Sequence, residues 1–92
     1  MDRSLTISPA PIDEPALVAA RAASKAMGAA VYFSGIVRGS EAAQPISALA
    51  YECFLPMAEH QFNRLFDELE CRWPVASVRL VHRIGVVKAG EP

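Results

Sequence analysis

No block of like charge, no close cysteine pair and no long apolar run occurs in this 92-residue chain, and each absence removes a class of function. Nine lysines and arginines stand against ten acidic residues, for a formal charge of −1. With the basic residues scattered, there is no broad electrostatic footprint for nucleic acid. The start, Met1-Asp-Arg-Ser-Leu-Thr-Ile-Ser-Pro9, has no apolar core of signal-peptide length. No stretch approaches the roughly 20 apolar residues of a membrane span, so the expected compartment is the cytoplasm. Cys53 and Cys71 fall on different expected elements without a CxxC spacing, and His60 and His82 lack zinc-finger spacing to them. They read as two half-buried free thiols. Ser34-Gly35 lacks the GxSxG surroundings of a nucleophile elbow. Gly35-Ile-Val-Arg-Gly-Ser40 lacks the lysine and spacing of a phosphate-cradling loop. No metal or cofactor is expected.

What is present is apolar. The hydrophobic fraction is 52% and the mean hydropathy +0.21, rich for a soluble domain of this size. Either some surface is covered by a partner or by more chain, or the core is tight and self-sufficient. Seven prolines and five glycines rule out a continuous helical array.

The order of elements is expected to be β-α-β-β-α-β over a single domain, residues 1–92. Leu5 to Ser8 alternates as a short strand, closed by Pro9 and Pro11. Asp13 stands where a helix N-cap belongs, with Glu14 and Pro15 in the first turn. The alanine-rich run Ala16 to Met27 reads as the helix that follows, ended by Gly28. Ala29 to Val37 reads as a strand buried on both faces. Gly39 to Pro45 is a loop of small and polar residues, and Ile46 to Phe54 a second strand antiparallel to the first. From Pro56 to Arg72, the positions Ala58, Phe62, Leu65, Phe66, Leu69 and Trp73 form one apolar stripe of a helix. Glu68 and Arg72 make an i, i+4 pair on its other side, and Pro74 stops it. A long strand from Val75 then places Ala76, Val78, Leu80, His82, Ile84 and Val86 on one face. The fold class is α+β, an antiparallel sheet with two packed helices. Lys88-Ala-Gly-Glu-Pro92 follows with the last edge uncovered, so the domain is expected to be incomplete.

Few residues could carry chemistry. Arg38 ends the apolar strand beside a polar loop, a placement that suits bidentate binding of a phosphate or carboxylate; an ordinary surface arginine would look the same. Ile36 and Val37 would line the approach with backbone groups. His82 shares its face with aliphatic residues and reads as a core histidine. His60 lies on the polar side of its helix. Asp67, Glu68 and Glu70 read as a charged helix face.

Three segments, taken together, resemble the large, catalytic subunit of molybdopterin synthase. They are Gly28-Ala-Ala-Val-Tyr-Phe-Ser-Gly-Ile-Val-Arg38, then Ile46-Ser-Ala-Leu-Ala-Tyr-Glu52 leading to Pro56-Met-Ala-Glu59, then Arg72-Trp-Pro-Val75 to Val81-His-Arg-Ile-Gly85 with Gly90-Glu91. The resemblance implies a subunit that pairs with a second copy of itself and with a ubiquitin-like small subunit. The small subunit's C-terminal thiocarboxylate would donate sulfur to cyclic pyranopterin monophosphate. It also implies that Ile36, Val37 and Arg38 bind substrate and that Phe33 lies near the pocket. The family's catalytic lysines, and its C-terminal strands and helix, would lie beyond Pro92, so no catalytic residue is assigned here. His82-Arg83 aligns with the family's earlier, structural His-Arg pair. Two functions therefore remain open, a piece of the sulfur-transferring enzyme and a shortened, non-catalytic binding module. An unrelated small α+β domain is a third.

Overall fold

The computed structural model describes residues 1–21 and 25–92. Its elements are β1 (Asp2–Ser8), α1 (Glu14–Ala19), β2 (Ser40–Glu41), β3 (Gln44–Pro45), β4 (Ala48–Tyr51), α2 (Leu55–Arg72), β5 (Ser77–Arg83) and β6 (Gly85–Lys88). The expected α+β class holds, with two helices and small sheets, but the strand order is different. Among the described residues the strands form three two-stranded ladders, β1–β5, β2–β3 and β4–β6.

The long helix forms as its pattern requires. Pro56 stands in the first turn of α2, and the Trp73 amide closes the last turn on the Leu69 carbonyl at 3.0 Å. Arg72 and Glu68 pair at 2.7 Å. From the apolar stripe, Phe66 is buried at 4% exposure, whereas Leu65 and Trp73 remain more than half exposed. Beside α2 lies β1, tied to it by charge. The Arg3 guanidinium bonds Asp67 and Glu70, each at 2.7 Å, and the Met1 ammonium reaches Glu70 at 3.0 Å. The acidic helix face thus has a specific partner 67 residues away in sequence.

Helix α1 begins as expected and ends early. Asp13 caps it, accepting a hydrogen bond from the Ala16 amide at 3.1 Å. It stops at Ala19, and no residue in it is buried. A helix this short gains its stability from packing an apolar face, and alanines offer little to pack. Of the expected extension to Met27, residues 22–24 lie outside the described residues. Lys25 and Ala26 form a turn rather than helix.

Two strand expectations are corrected. In place of the expected antiparallel sheet, two of the three ladders are antiparallel and the third is parallel, β1 with β5, Leu5 opposite Leu80 and Ile7 opposite His82. The expected strand Ala29 to Val37 is not in any ladder: residues 29–36 carry no strand assignment, and Val31 and Phe33 are 91% and 94% exposed. A strand needs a neighbour for its N–H and C=O groups. The partner expected for this one, β4, pairs antiparallel with β6 instead, Ala48 opposite Lys88 and Tyr51 opposite Gly85.

The expected single strand from Val75 divides at Gly85, whose φ of +83° lies in the left-handed region. On one side of it the chain pairs with β1; on the other it pairs with β4. The kink also reverses which side chains point inward. Val86, expected inside, is 66% exposed, and Val87 is 2% exposed. In a strand a one-residue slip moves every side chain to the other face, and Gly85 provides that slip.

The result is open. Among the described residues Val37, Phe66 and Val87 form the buried apolar core. The accessible surface is 7154 Å², against about 5,200 Å² for a compact monomer of 9.9 kDa. The radius of gyration is 15.3 Å, where about 12 Å is usual for this length.

Candidate functional site

The site is built from the end of the apolar segment. Val37 is pinned on both sides of its peptide: its N–H donates to the Glu91 carbonyl at 3.1 Å, and its C=O accepts from the Gly90 amide at 2.8 Å. Its side chain is buried at 5% exposure. Arg38 therefore emerges from a fixed backbone. One residue on, the Gly39 carbonyl accepts from the Ile46 amide at 2.9 Å, closing the base of the β2–β3 hairpin. Ile36 is 57% exposed beside it. The three expected residues thus divide: Val37 anchors, and Ile36 and Arg38 face outward.

The Arg38 guanidinium, 74% exposed, donates to Glu41 at 2.6 Å. Sequence reading missed this contact. Its signal was present, an acid three residues after the arginine with a two-residue turn between Glu41 and Gln44. Arginine offers five N–H donors in a planar fork, and Glu41 engages that fork through one nitrogen.

Upstream, α1 lies against the apolar segment. Arg21 donates to the Tyr32 hydroxyl and stands 5.9 Å from the centre of its ring, and Ser34 donates to Glu14. Tyr32 remains 56% exposed despite this contact. Phe33, expected near the pocket, is 94% exposed.

The turn that pins Val37 also borders a shallow hollow of about 320 Å³ lined by Pro11, Ile12, Arg83, Val86, Lys88, Glu91 and Pro92. Arg83 is 11% exposed there, bonding Glu91 at 2.9 Å and the Pro92 carbonyl at 3.2 Å. Its role in the observed contacts is to hold the 88–92 turn, and through that turn Val37.

His82 packs among aromatic rings, edge-on to Tyr51 with centroids 6.1 Å apart and tilted against Phe62 at 6.0 Å. Its Nδ1 is buried without a hydrogen-bond partner. The side chain is half-buried rather than part of the core, and this nitrogen lacks the hydrogen bond expected of a core histidine. His60 is exposed on α2. The cysteines differ from expectation, since both Cys53 and Cys71 are exposed rather than half-buried. Among the described residues no group of His, Cys, Asp and Glu could hold a metal ion, and no helix is long and apolar enough to cross a membrane.

The strongest electrostatic perturbation lies away from Arg38. Hydrogen bonds from Arg3, then from the Met1 ammonium, hold the Glu70 carboxyl below its usual range, and Glu70 with Asp67 raises the Arg3 guanidinium. These groups join α2 to β1.

Fold and site together define a small α+β chain that presents an arginine from a pinned backbone at the end of an apolar segment. The chain belongs to the MoaE protein family, whose sequence model matches residues 7–92. It is similar to proteins named molybdopterin synthase catalytic subunit. With that of Staphylococcus carnosus it is 39% identical over 64 residues, covering 70% of this chain and 43% of the relative. With that of Nostoc it is 32% identical over 89 residues, covering 96% and 52%. The rat protein is 33% identical over 64 residues, covering 70% and 32%. The matched stretch thus spans about a third to a half of these relatives' length.

Proposed function

We propose that this chain serves in molybdenum cofactor biosynthesis as the substrate-binding part of a molybdopterin synthase catalytic subunit. The reaction is sulfur transfer from the C-terminal thiocarboxylate of a ubiquitin-like small subunit to cyclic pyranopterin monophosphate. Arg38 binds the phosphate of the precursor, Ile36 lines the approach, and Val37 holds the backbone in place. The observation that supports this reading is the pinned Val37 peptide, which presents an exposed guanidinium at the end of the apolar segment, the segment that the resemblance implies binds substrate.

The working protein pairs with a second copy of itself and with the small subunit, in the cytoplasm. The exposed apolar side chains support that pairing: Val31 and Phe33 are more than 90% exposed, with Phe54, Met57 and Val86 at 60% or more. Scattered exposed apolar residues are ordinary, but concentrations of them mark contact surfaces. The same observation favours a second reading, a non-catalytic module that binds either partner without transferring sulfur.

The test is turnover by the protein as it occurs in the cell, mixed with thiocarboxylated small subunit and precursor. Arg38→Ala is expected to lower turnover about 100-fold, the usual loss for one oxyanion-binding donor, with an unchanged melting temperature. Unchanged turnover removes Arg38 from the site. Partner binding without any sulfur transfer by the unsubstituted protein selects the binding module.

A further inference from the structure

We propose that Glu41 is an internal competitor at Arg38: its carboxylate occupies the guanidinium in the free protein and must leave before a phosphate-class anion binds fully. The inference rests on Arg38 being an anion-binding residue and adds the group that regulates it.

Three observations carry it. First, Glu41 already offers Arg38 what an anionic ligand would, a carboxylate oxygen at 2.6 Å. Both side chains are mostly exposed, 74% and 60%, and an exposed ion pair is weak and readily exchanged. Second, the two partners are held with unequal strength. The Arg38 backbone follows Val37, which is buried and hydrogen-bonded through both its N–H and its C=O. Glu41 sits in a ladder of two residue pairs, Ser40 with Pro45 and Glu41 with Gln44.

Third, the turn that brings Glu41 back is strained. Its two loop residues, Ala42 and Ala43, have φ of 49° and 65°. Such two-residue hairpin turns favour Asn-Gly or Gly-Gly because a Cβ is disfavoured there. Opening the hairpin relieves that strain and frees the guanidinium, while Arg38 stays in place. Glu41 therefore sets the threshold for anion binding, and a ligand with one carboxylate-like contact gains little over it. A phosphate group that engages two nitrogens of the arginine fork through two of its oxygens gains more.

The experiment is titration of the ¹⁵N-labelled full chain with inorganic phosphate, read at the Arg38 and Gly39 amides. Glu41→Gln is expected to tighten phosphate binding about two- to five-fold, the range for losing one exposed ion pair. The gain should vanish in the Arg38→Ala background. Ala43→Gly, which relaxes the turn and favours the hairpin, should weaken binding. Glu52→Gln, an equal charge change at another exposed position, is the control and should leave binding unchanged. Equal affinity for Glu41→Gln and the unsubstituted chain, with Arg38→Ala still abolishing binding, overturns the competitor and leaves the Arg38 reading standing. An equal gain from Glu52→Gln overturns it as well, as bulk charge. The absence of Arg38-dependent binding in every variant overturns both readings.

Discussion

Val86 and Val87 are adjacent and chemically identical, and their substitution by alanine should differ sharply. Val87 is 2% exposed and Val86 66% exposed, because Gly85 at φ +83° reverses the faces of β6. Val87→Ala removes two buried carbon groups, about 1.6 kcal/mol at 0.8 per group. The cavity left behind raises the loss to roughly 2–3 kcal/mol. Val86→Ala removes groups already in water and should stay within about 0.5 kcal/mol. In a domain of this size each kcal/mol moves the melting temperature by about 4–8 °C, so Val87→Ala should melt about 10–20 °C lower. Gly85→Ala meets no atom within 4 Å of an added Cβ, so its loss is backbone strain alone, about 1–2 kcal/mol. The assay is urea unfolding followed by far-ultraviolet circular dichroism, with thermal melts of the same variants. A larger loss for Val86→Ala than for Val87→Ala would refute the face reversal and restore the uninterrupted strand.

Two further outcomes follow from the charges and rings. The Glu70 carboxyl is held below its usual value of 4.5 by Arg3 and the Met1 ammonium, so its stabilising contribution is complete above that pH and is lost as the pH falls through its lowered folded value. Glu70→Gln should therefore flatten the acid side of a stability profile measured between about pH 5 and 2, and high salt should shrink the difference; identical acid profiles would show that the cluster contributes nothing. His82→Phe exchanges a ring with a buried, unpartnered Nδ1 for an apolar ring between Tyr51 and Phe62, so stability should hold or rise by up to about 1–2 kcal/mol. A large loss of sulfur transfer in that variant at unchanged stability would give His82 a chemical role.

The parts of the fold legible in the sequence are those decided by nearest neighbours. Asp13 caps α1, Pro56 and Pro74 bracket α2, and Glu68 meets Arg72 because helical spacing alone brings them together. Strand pairing is decided by distant residues, and there the pattern misled. Ala29 to Val37 has the composition of a buried strand, yet its expected neighbour β4 hydrogen-bonds to β6. The parallel match of β1 with β5 joins residues about 75 positions apart, which no local signal specifies. Gly85 was visible as a glycine, but its positive φ belongs to the change of partner strand. At the candidate site, Arg38 stands out in the sequence as an arginine at the end of an apolar run, while its pairing with Glu41 depends on the turn at Ala42 and Ala43.

The most direct test of the central claim is calorimetric titration of cyclic pyranopterin monophosphate into the protein and into its Arg38→Ala variant, both verified as folded by their melting curves. The account predicts measurable binding by the unsubstituted protein and a loss of at least about tenfold in the variant, equivalent to 1.4 kcal/mol or more. Equal affinity in the two proteins would contradict it and leave the pinned arginine as a surface residue.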